Sequence, residues 1–186
     1  MPLLFLLVYA GWFLSEILLN RLMRSSAADQ PNADKHSLGL IWATLLGANG
    51  LAVYLAEHSR WPVGPQRLVP ELGLALIVLG VALRLLVIRS LGRFFTVDVT
   101  IREGHQLKTD GFYAYLRHPS YAASLLSFVG FGLSLNNWPA LLLVTAATLA
   151  AFSYRIWVEE AVLTRQFGTA YTDYQKRTKR LIPAVY

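Results

Sequence analysis

Residues 38–56 run for 19 positions without one charged side chain. A helix of that length crosses the hydrocarbon core of a bilayer, which takes roughly 20 apolar residues. The pattern recurs at 3–19, where only Ser15 and Glu16 are polar, at 71–90, and in shorter runs at 119–135 and 138–155. Charged residues make up 15% of the chain, against about a quarter in a water-soluble domain, and the deficit is concentrated in these runs. The pattern predicts an all-α, polytopic integral membrane protein with about five transmembrane helices. A length of 186 residues predicts one domain, with N-terminal transmembrane helices over about 1–90 and a second half over about 91–186 that holds the polar motifs.

Composition narrows the chemistry. The chain has no cysteine, which excludes structural disulfides, thiolate nucleophiles and cysteine-rich metal sites. A net charge of +6 does not call for nucleic acid, because Lys and Arg of a membrane protein gather on the cytoplasmic side beside anionic lipid. The first apolar run has no basic region before it and no clear small-residue cleavage site after it, so it is expected to be a retained helix. With five spans, fourteen Lys and Arg fall on one side and only Arg60 and Arg67 on the other. That bias predicts an N-terminus outside and a cytoplasmic C-terminus.

Along the chain, residues 25–32 have no clean period and read as loop. Gly39, Gly47 and Gly50 punctuate the second run, in the way small residues mark close contacts between membrane helices. Two charges sit within spans: Glu16 and Arg84 either reach the interface or face inward, and an intramembrane charge is a functional candidate. Residues 94–101 alternate loosely, as a short extended segment does. The fourth and fifth runs, joined by Asn136-Asn137, form a helical hairpin that returns Arg117-His118 and Arg155 to one membrane face. The fifth pattern continues to Phe167 and stops at Gly168. An amphipathic segment at 171–180, with Lys176, Arg177, Lys179 and Arg180, suits an anionic membrane surface.

Two polar clusters carry the chemistry. His118, just before Pro119, opens the fourth helix, where unpaired backbone N–H groups favour a carboxylate or phosphate and Arg117 adds a bidentate donor. Glu159 and Glu160 point in different directions around the fifth helix; one suits a ligand's amine or ribose hydroxyls, the other an ion pair with Arg155. Tyr113, Tyr115 and Tyr121 either line this site or belong to an interfacial aromatic belt. His105 is the one other histidine near enough in sequence to complete a metal site, and no metal is expected. S-adenosyl-L-methionine suits the whole set, and so does a dinucleotide with its phosphates on the basic residues; no Rossmann glycine fingerprint is present.

The pattern Gly111-x-Tyr113-x3-Arg117-His118-Pro119-x-Tyr121, a helical hairpin, Glu159-Glu160, Phe167-Gly168-x2-Tyr171-x2-Tyr174 and Leu181-Ile182-Pro183 resembles the isoprenylcysteine carboxyl methyltransferase family. That family lies within a wider membrane group that includes the phospholipid N-methyltransferases. The resemblance implies an S-adenosylmethionine-dependent enzyme with a cytoplasmic cofactor pocket lined by Gly111, Tyr113, His118, Pro119, Tyr121, Glu159 and Glu160. It implies a C-terminal region covering the pocket and a lipophilic or prenylated acceptor entering from the bilayer. Arg155, with Arg117 and His118, is then the catalytic set, and Arg155 the first candidate for the acceptor carboxylate. Short loops and compact length resemble prokaryotic members, which places the protein in an inner membrane. The alternatives are a reductase using NADPH, related to sterol reductases, a phospholipid N-methyltransferase, and a non-catalytic membrane binding protein.

Overall fold

The computed structural model describes residues 3–24, 37–100, 104–183 and 186. Six α-helices form among them: α1 (Leu3–Leu22), α2 (Ser37–His58), α3 (Leu68–Leu91), α4 (Pro119–Ser134), α5 (Trp138–Phe167) and α6 (Thr169–Arg177). There is no strand among the described residues, and the segment expected to be extended passes instead through a 3-10 turn, Gly92–Phe94, and a series of bends. The loop expected at 25–32, and residues Asp34, Lys35, Ile101 and Arg102, lie outside the described residues.

Four helices, α1, α2, α3 and α5, are long and apolar enough to cross a membrane. The fifth expected span, α4, has 16 residues. At 1.5 Å per residue it reaches about 24 Å, short of the roughly 30 Å of hydrocarbon. In contrast α5, with 30 residues, is about 45 Å long, so its C-terminal turns carry Glu159 and Glu160 to the edge of that layer. The helices pack in an arc: α1 on α3, α3 on α4, α4 on α5, and α5 on α2. Trp12, Ile77, Phe128, Phe131, Val144 and Phe152 form the centre of the core.

The closest packing is between α3 and α4, and small residues permit it. A Cβ on Gly73 would lie 2.6 Å from the Gly130 carbonyl oxygen, and one on Gly80 would lie 2.7 Å from that of Ala123. Ser127 adds a hydroxyl bond to the Ile77 carbonyl at 3.3 Å. The glycines that drew notice in the sequence behave otherwise: a Cβ at Gly39, Gly47 or Gly50 would meet nothing within 4 Å. Spacing within one helix does not reveal which face its neighbour occupies.

Polar side chains tie the far end of the hairpin to the α2–α3 turn. Asn136, at φ +48°, accepts from the Val63 and Gly64 amides, both at 3.1 Å, and donates to the Gly64 carbonyl. Asn137 caps α5 by accepting from the Ala140 amide, while its own amide donates to Ser59. These bonds replace water at a buried turn. Gly80→Leu is expected to lower stability by about 1–3 kcal/mol through overpacking of the α3–α4 seam, whereas Gly47→Leu should change it by less than about 0.5 kcal/mol. Thermal unfolding of the two variants in the same detergent checks this.

Candidate active site

The Arg117 end of the bundle is built around one buried carboxylate. Glu160, on α5, uses Oε1 to accept from Arg117 Nε at 2.7 Å and Oε2 to accept from Arg180 Nε at 3.1 Å and Nη2 at 2.9 Å. Arg117 also donates to the carbonyls of Gln175 and Thr178. Backbone bonds run beside these: Arg117 N to Lys179 O at 2.7 Å, His118 N to Arg180 O at 3.1 Å, and Lys179 N to Tyr115 O at 3.2 Å. The C-terminal tail is thus stitched onto the Arg117-His118 segment, and Arg180 serves this junction rather than a membrane surface. Lys176 pairs with Asp173 at 2.8 Å.

His118 is the N-cap residue of α4 with Pro119 in its first turn, as the sequence predicts. Its own N–H is taken by the tail, so the free donor is the imidazole and not that amide. The ring is buried between the two glutamates, with Nδ1 3.8 Å from Glu159 and Nε2 3.5 Å from Glu160. Nε2 makes no hydrogen bond. Glu159 accepts from the Tyr121 hydroxyl at 2.9 Å. Arg155 turns to partners other than Glu159: Nε donates to Tyr121 at 3.4 Å, Nη2 to the Val97 carbonyl at 2.7 Å, and Nη1 to the Ser37 hydroxyl.

A cavity of about 480 Å³ starts at this cluster and continues into the membrane-facing part of the bundle. That volume suits a small-molecule site. Of the predicted residues, Tyr113, Arg117, His118, Pro119, Tyr121, Arg155 and Glu159 border it. Glu160 and Gly111 do not. Glu160 lies behind, occupied with its two arginines. Gly111 is exposed at φ +57°, where it forms the turn that leads into Tyr113. Tyr115 is exposed as well. Arg155 borders the cavity but is only 1% exposed.

Two residues of the site, Tyr171 and Tyr174, had no assigned role from sequence. Tyr171, on α6, is 1% exposed, borders the cavity, and has a hydroxyl with no hydrogen-bond partner. Burial, then the charges of Glu160 and Glu159, hold its phenol well above the ordinary range. Burial, followed by the charge of Glu159, raises Tyr113 in the same way, and burial pushes Tyr174 up to about 12. All three are neutral donors at physiological pH, and Tyr174 donates to the Tyr113 carbonyl at 2.6 Å. The family pattern contained Tyr171, which was the available signal. Arg84 and Glu16 form an ion pair at 3.3 Å on the cavity wall, the inward alternative for both. Arg84 also donates to Ser124 and to the Ser120 carbonyl, and its Nε has no hydrogen-bond partner. Among the described residues, no three His, Asp or Glu side chains converge as metal ligands, and His105 stacks on Phe94 with centroids 4.9 Å apart.

The junction at Glu160 makes a direct prediction. Glu160→Gln leaves the buried Arg117 guanidinium and the part-exposed Arg180 sharing a neutral amide, which is expected to cost about 3 kcal/mol, the lower end for breaking a buried ion pair, and to release the tail. Native-state trypsin cleavage after Lys179 or Arg180 should accelerate in this variant and stay at the wild-type rate in Glu159→Gln.

With this geometry in hand, the chain can be set beside known proteins. The family model for phospholipid methyltransferase matches residues 69–170. Protein-S-isoprenylcysteine O-methyltransferase B of Arabidopsis thaliana is 36% identical over 135 residues, covering 71% of this chain and 68% of the plant protein. The protein-S-isoprenylcysteine O-methyltransferase of Schizosaccharomyces pombe is 36% identical over 114 residues, covering 60% of this chain and 48% of the yeast one. A solved eukaryotic intramembrane Ras methyltransferase, isoprenylcysteine carboxyl methyltransferase, superposes with a TM-score of 0.64 at 25% identity, covering 96% of this chain and 67% of that one. The matched span includes the Arg117-His118-Pro119 segment, the hairpin and the paired glutamates, so the resemblance carried by those motifs holds, and the chain is a membrane-embedded methyltransferase of the phospholipid methyltransferase family, akin within it to the isoprenylcysteine O-methyltransferases.

Proposed function

We propose that this protein transfers the methyl group of S-adenosylmethionine to a carboxylate on a lipophilic acceptor that arrives from the bilayer, an isoprenylcysteine-like or isoprenoid acid. The observation that carries this reading is the continuity of the cavity: one space joins a polar cytoplasmic end at His118, Glu159 and Tyr171 to a membrane-facing end at Trp12, Asn49 and Phe131. A water-soluble cofactor and a lipid can reach the same point from opposite ends.

The cytoplasmic end fits the donor by its own chemistry. The Tyr171 hydroxyl is buried on its wall without a hydrogen-bond partner, a cost that a polar ligand removes. Glu159 offers a carboxylate for an amine or for ribose hydroxyls, and Tyr113, Tyr121 and Tyr171 supply aromatic surface for a base and a sulfonium. Bound S-adenosylmethionine supplies a methyl group on a sulfonium leaving group. An acceptor carboxylate is ionised at neutral pH, so the chain need not remove a proton. Its residues position, neutralise and exclude water. Arg84, at the junction of the two ends with an unpartnered Nε, holds the acceptor carboxylate. Arg155 supports the site from behind by fixing Tyr121, which in turn orients Glu159. The active site and the C-terminus face the cytoplasm, as the distribution of Lys and Arg indicates.

Calorimetric titration of the purified full chain in detergent tests the cofactor. Binding of S-adenosylhomocysteine without binding of NADPH is expected; NADPH alone would overturn the reading in favour of a reductase. His118→Ala and Glu159→Gln should weaken S-adenosylhomocysteine by about 10–100-fold, the scale of one hydrogen bond to a charged group. Arg84→Gln should leave that affinity within about threefold and lower kcat by about 100-fold. Loss of cofactor affinity in Arg84→Gln would place this arginine in the donor site instead. Orientation can be read separately, because the wild type has no cysteine to remove. Gln66→Cys should react with an impermeant maleimide on intact cells and Thr169→Cys only after permeabilisation.

A further inference from the structure

The membrane-facing end of the cavity is not purely apolar. Trp12 lies at the middle of α1, is 8% exposed, and packs its ring on Phe128 and Phe131 with centroids 4.9 and 5.7 Å apart. Its Nε1 is buried and makes no hydrogen bond. Asn49 lies near the middle of α2, and its Oδ1 is likewise buried without a partner. Both residues border the same cavity. The middle of a spanning helix is the driest part of a bilayer, where an unsatisfied polar group is most costly. Elsewhere in the bundle the Tyr9 and Ser134 hydroxyls pair at 2.6 Å, and Thr148 Oγ1, which is also buried without a partner, does not border the cavity.

The two orphaned atoms differ in kind. An indole N–H only donates, and an amide oxygen only accepts. An isoprenoid chain satisfies neither, and a thioether sulfur is a weak acceptor that gives Asn49 nothing. A hydroxyl carries both complements, an acceptor for an indole N–H such as that of Trp12 and a donor for an amide oxygen such as that of Asn49. Glu16, beside Arg84, is four residues from Trp12 on α1, which is one turn or about 6 Å. Building on the methyltransferase reading above, we propose that Trp12 and Asn49 form a subsite for a hydroxyl on the apolar tail of the methyl acceptor, about one helical turn beyond the carboxylate held at Arg84. The enzyme then selects an oxygenated lipophilic acid over the plain isoprenoid one.

The test pairs two probes, N-acetyl-S-farnesylcysteine and its analogue with a hydroxyl on the first isoprene unit, with the full chain in nanodiscs saturated with S-adenosylhomocysteine. With 15N-labelled tryptophan, and Trp12→Phe used only to assign its resonance, the Trp12 indole N–H should shift downfield with the hydroxylated probe and stay in place with the plain one. Asn49→Leu should abolish that preference. In binding and in KM the wild type should favour the hydroxylated probe by about tenfold, the scale of one buried hydrogen bond. Asn49→Leu should bring the ratio to about one, with S-adenosylhomocysteine affinity measured alongside to show that the cofactor end is intact. An indole resonance unmoved by either probe, or moved equally by both, overturns the subsite, as does a wild-type ratio retained in Asn49→Leu. Loss of the subsite with S-adenosylhomocysteine still bound leaves the methyltransferase reading intact; failure of S-adenosylhomocysteine to bind removes the reading on which the subsite rests.

Discussion

Glu160 sits where three parts of the chain meet, and its two oxygens hold two guanidinium groups from different segments. Arg117 precedes α4, Arg180 belongs to the C-terminal tail, and Glu160 itself rides on α5. Burying one carboxylate requires that both lone-pair directions be filled, and two arginines do so with charge-assisted bonds. Everything at this end of the bundle inherits its position from this junction. The tail carbonyls meet the amides of Arg117 and His118, α6 brings Tyr171 over the cavity, and His118 is left between the two glutamates with one nitrogen free of hydrogen bonds.

The adjacent glutamates divide the labour by helix geometry. Neighbouring residues on a helix point about 100° apart. Glu160 therefore faces the packed junction while Glu159 faces the cavity, held by Tyr121. The arginines divide in a similar way. Arg155 is enclosed and bonded to Ser37, Val97 and Tyr121, so it stiffens the wall. Arg84 stands at the point where the polar and apolar ends of the cavity join, neutralised by Glu16 from α1. A charge inside a bilayer is tolerated when it is paired and faces a cavity, and both conditions hold here.

The membrane part of the bundle gains its shape from close backbone contact rather than from a water-driven apolar effect, which is weak among lipid tails. Gly73 and Gly80 on α3 and Gly130 on α4 let these helices touch along their backbones. With α3, α4 and α5 packed side by side, α1 and α2 close the arc from its two ends, and the cavity occupies the space they enclose. Residues from both the 1–90 and the 91–186 portions line it.

The sequence by itself determined the helices, their membrane character and the chemistry available. An uncharged run of 19 residues leaves the backbone no choice but to bond internally in lipid, and Pro119, Asn137 and Gly168 mark helix ends through local geometry alone. The motif residues from Tyr113 to Glu160 were legible because polar and aromatic side chains cluster there in an otherwise apolar chain and their spacing resembles that of the isoprenylcysteine carboxyl methyltransferase family. Tertiary structure decided what each one touches. The pairing of Arg180 with Glu160, the closure of Tyr171 over the cavity, and the meeting of Arg84 with Glu16 span separations of 20 to 68 residues or join separate helices. No local period encodes such contacts. They arise when packed helices leave a buried charge whose partners within reach are distant in sequence.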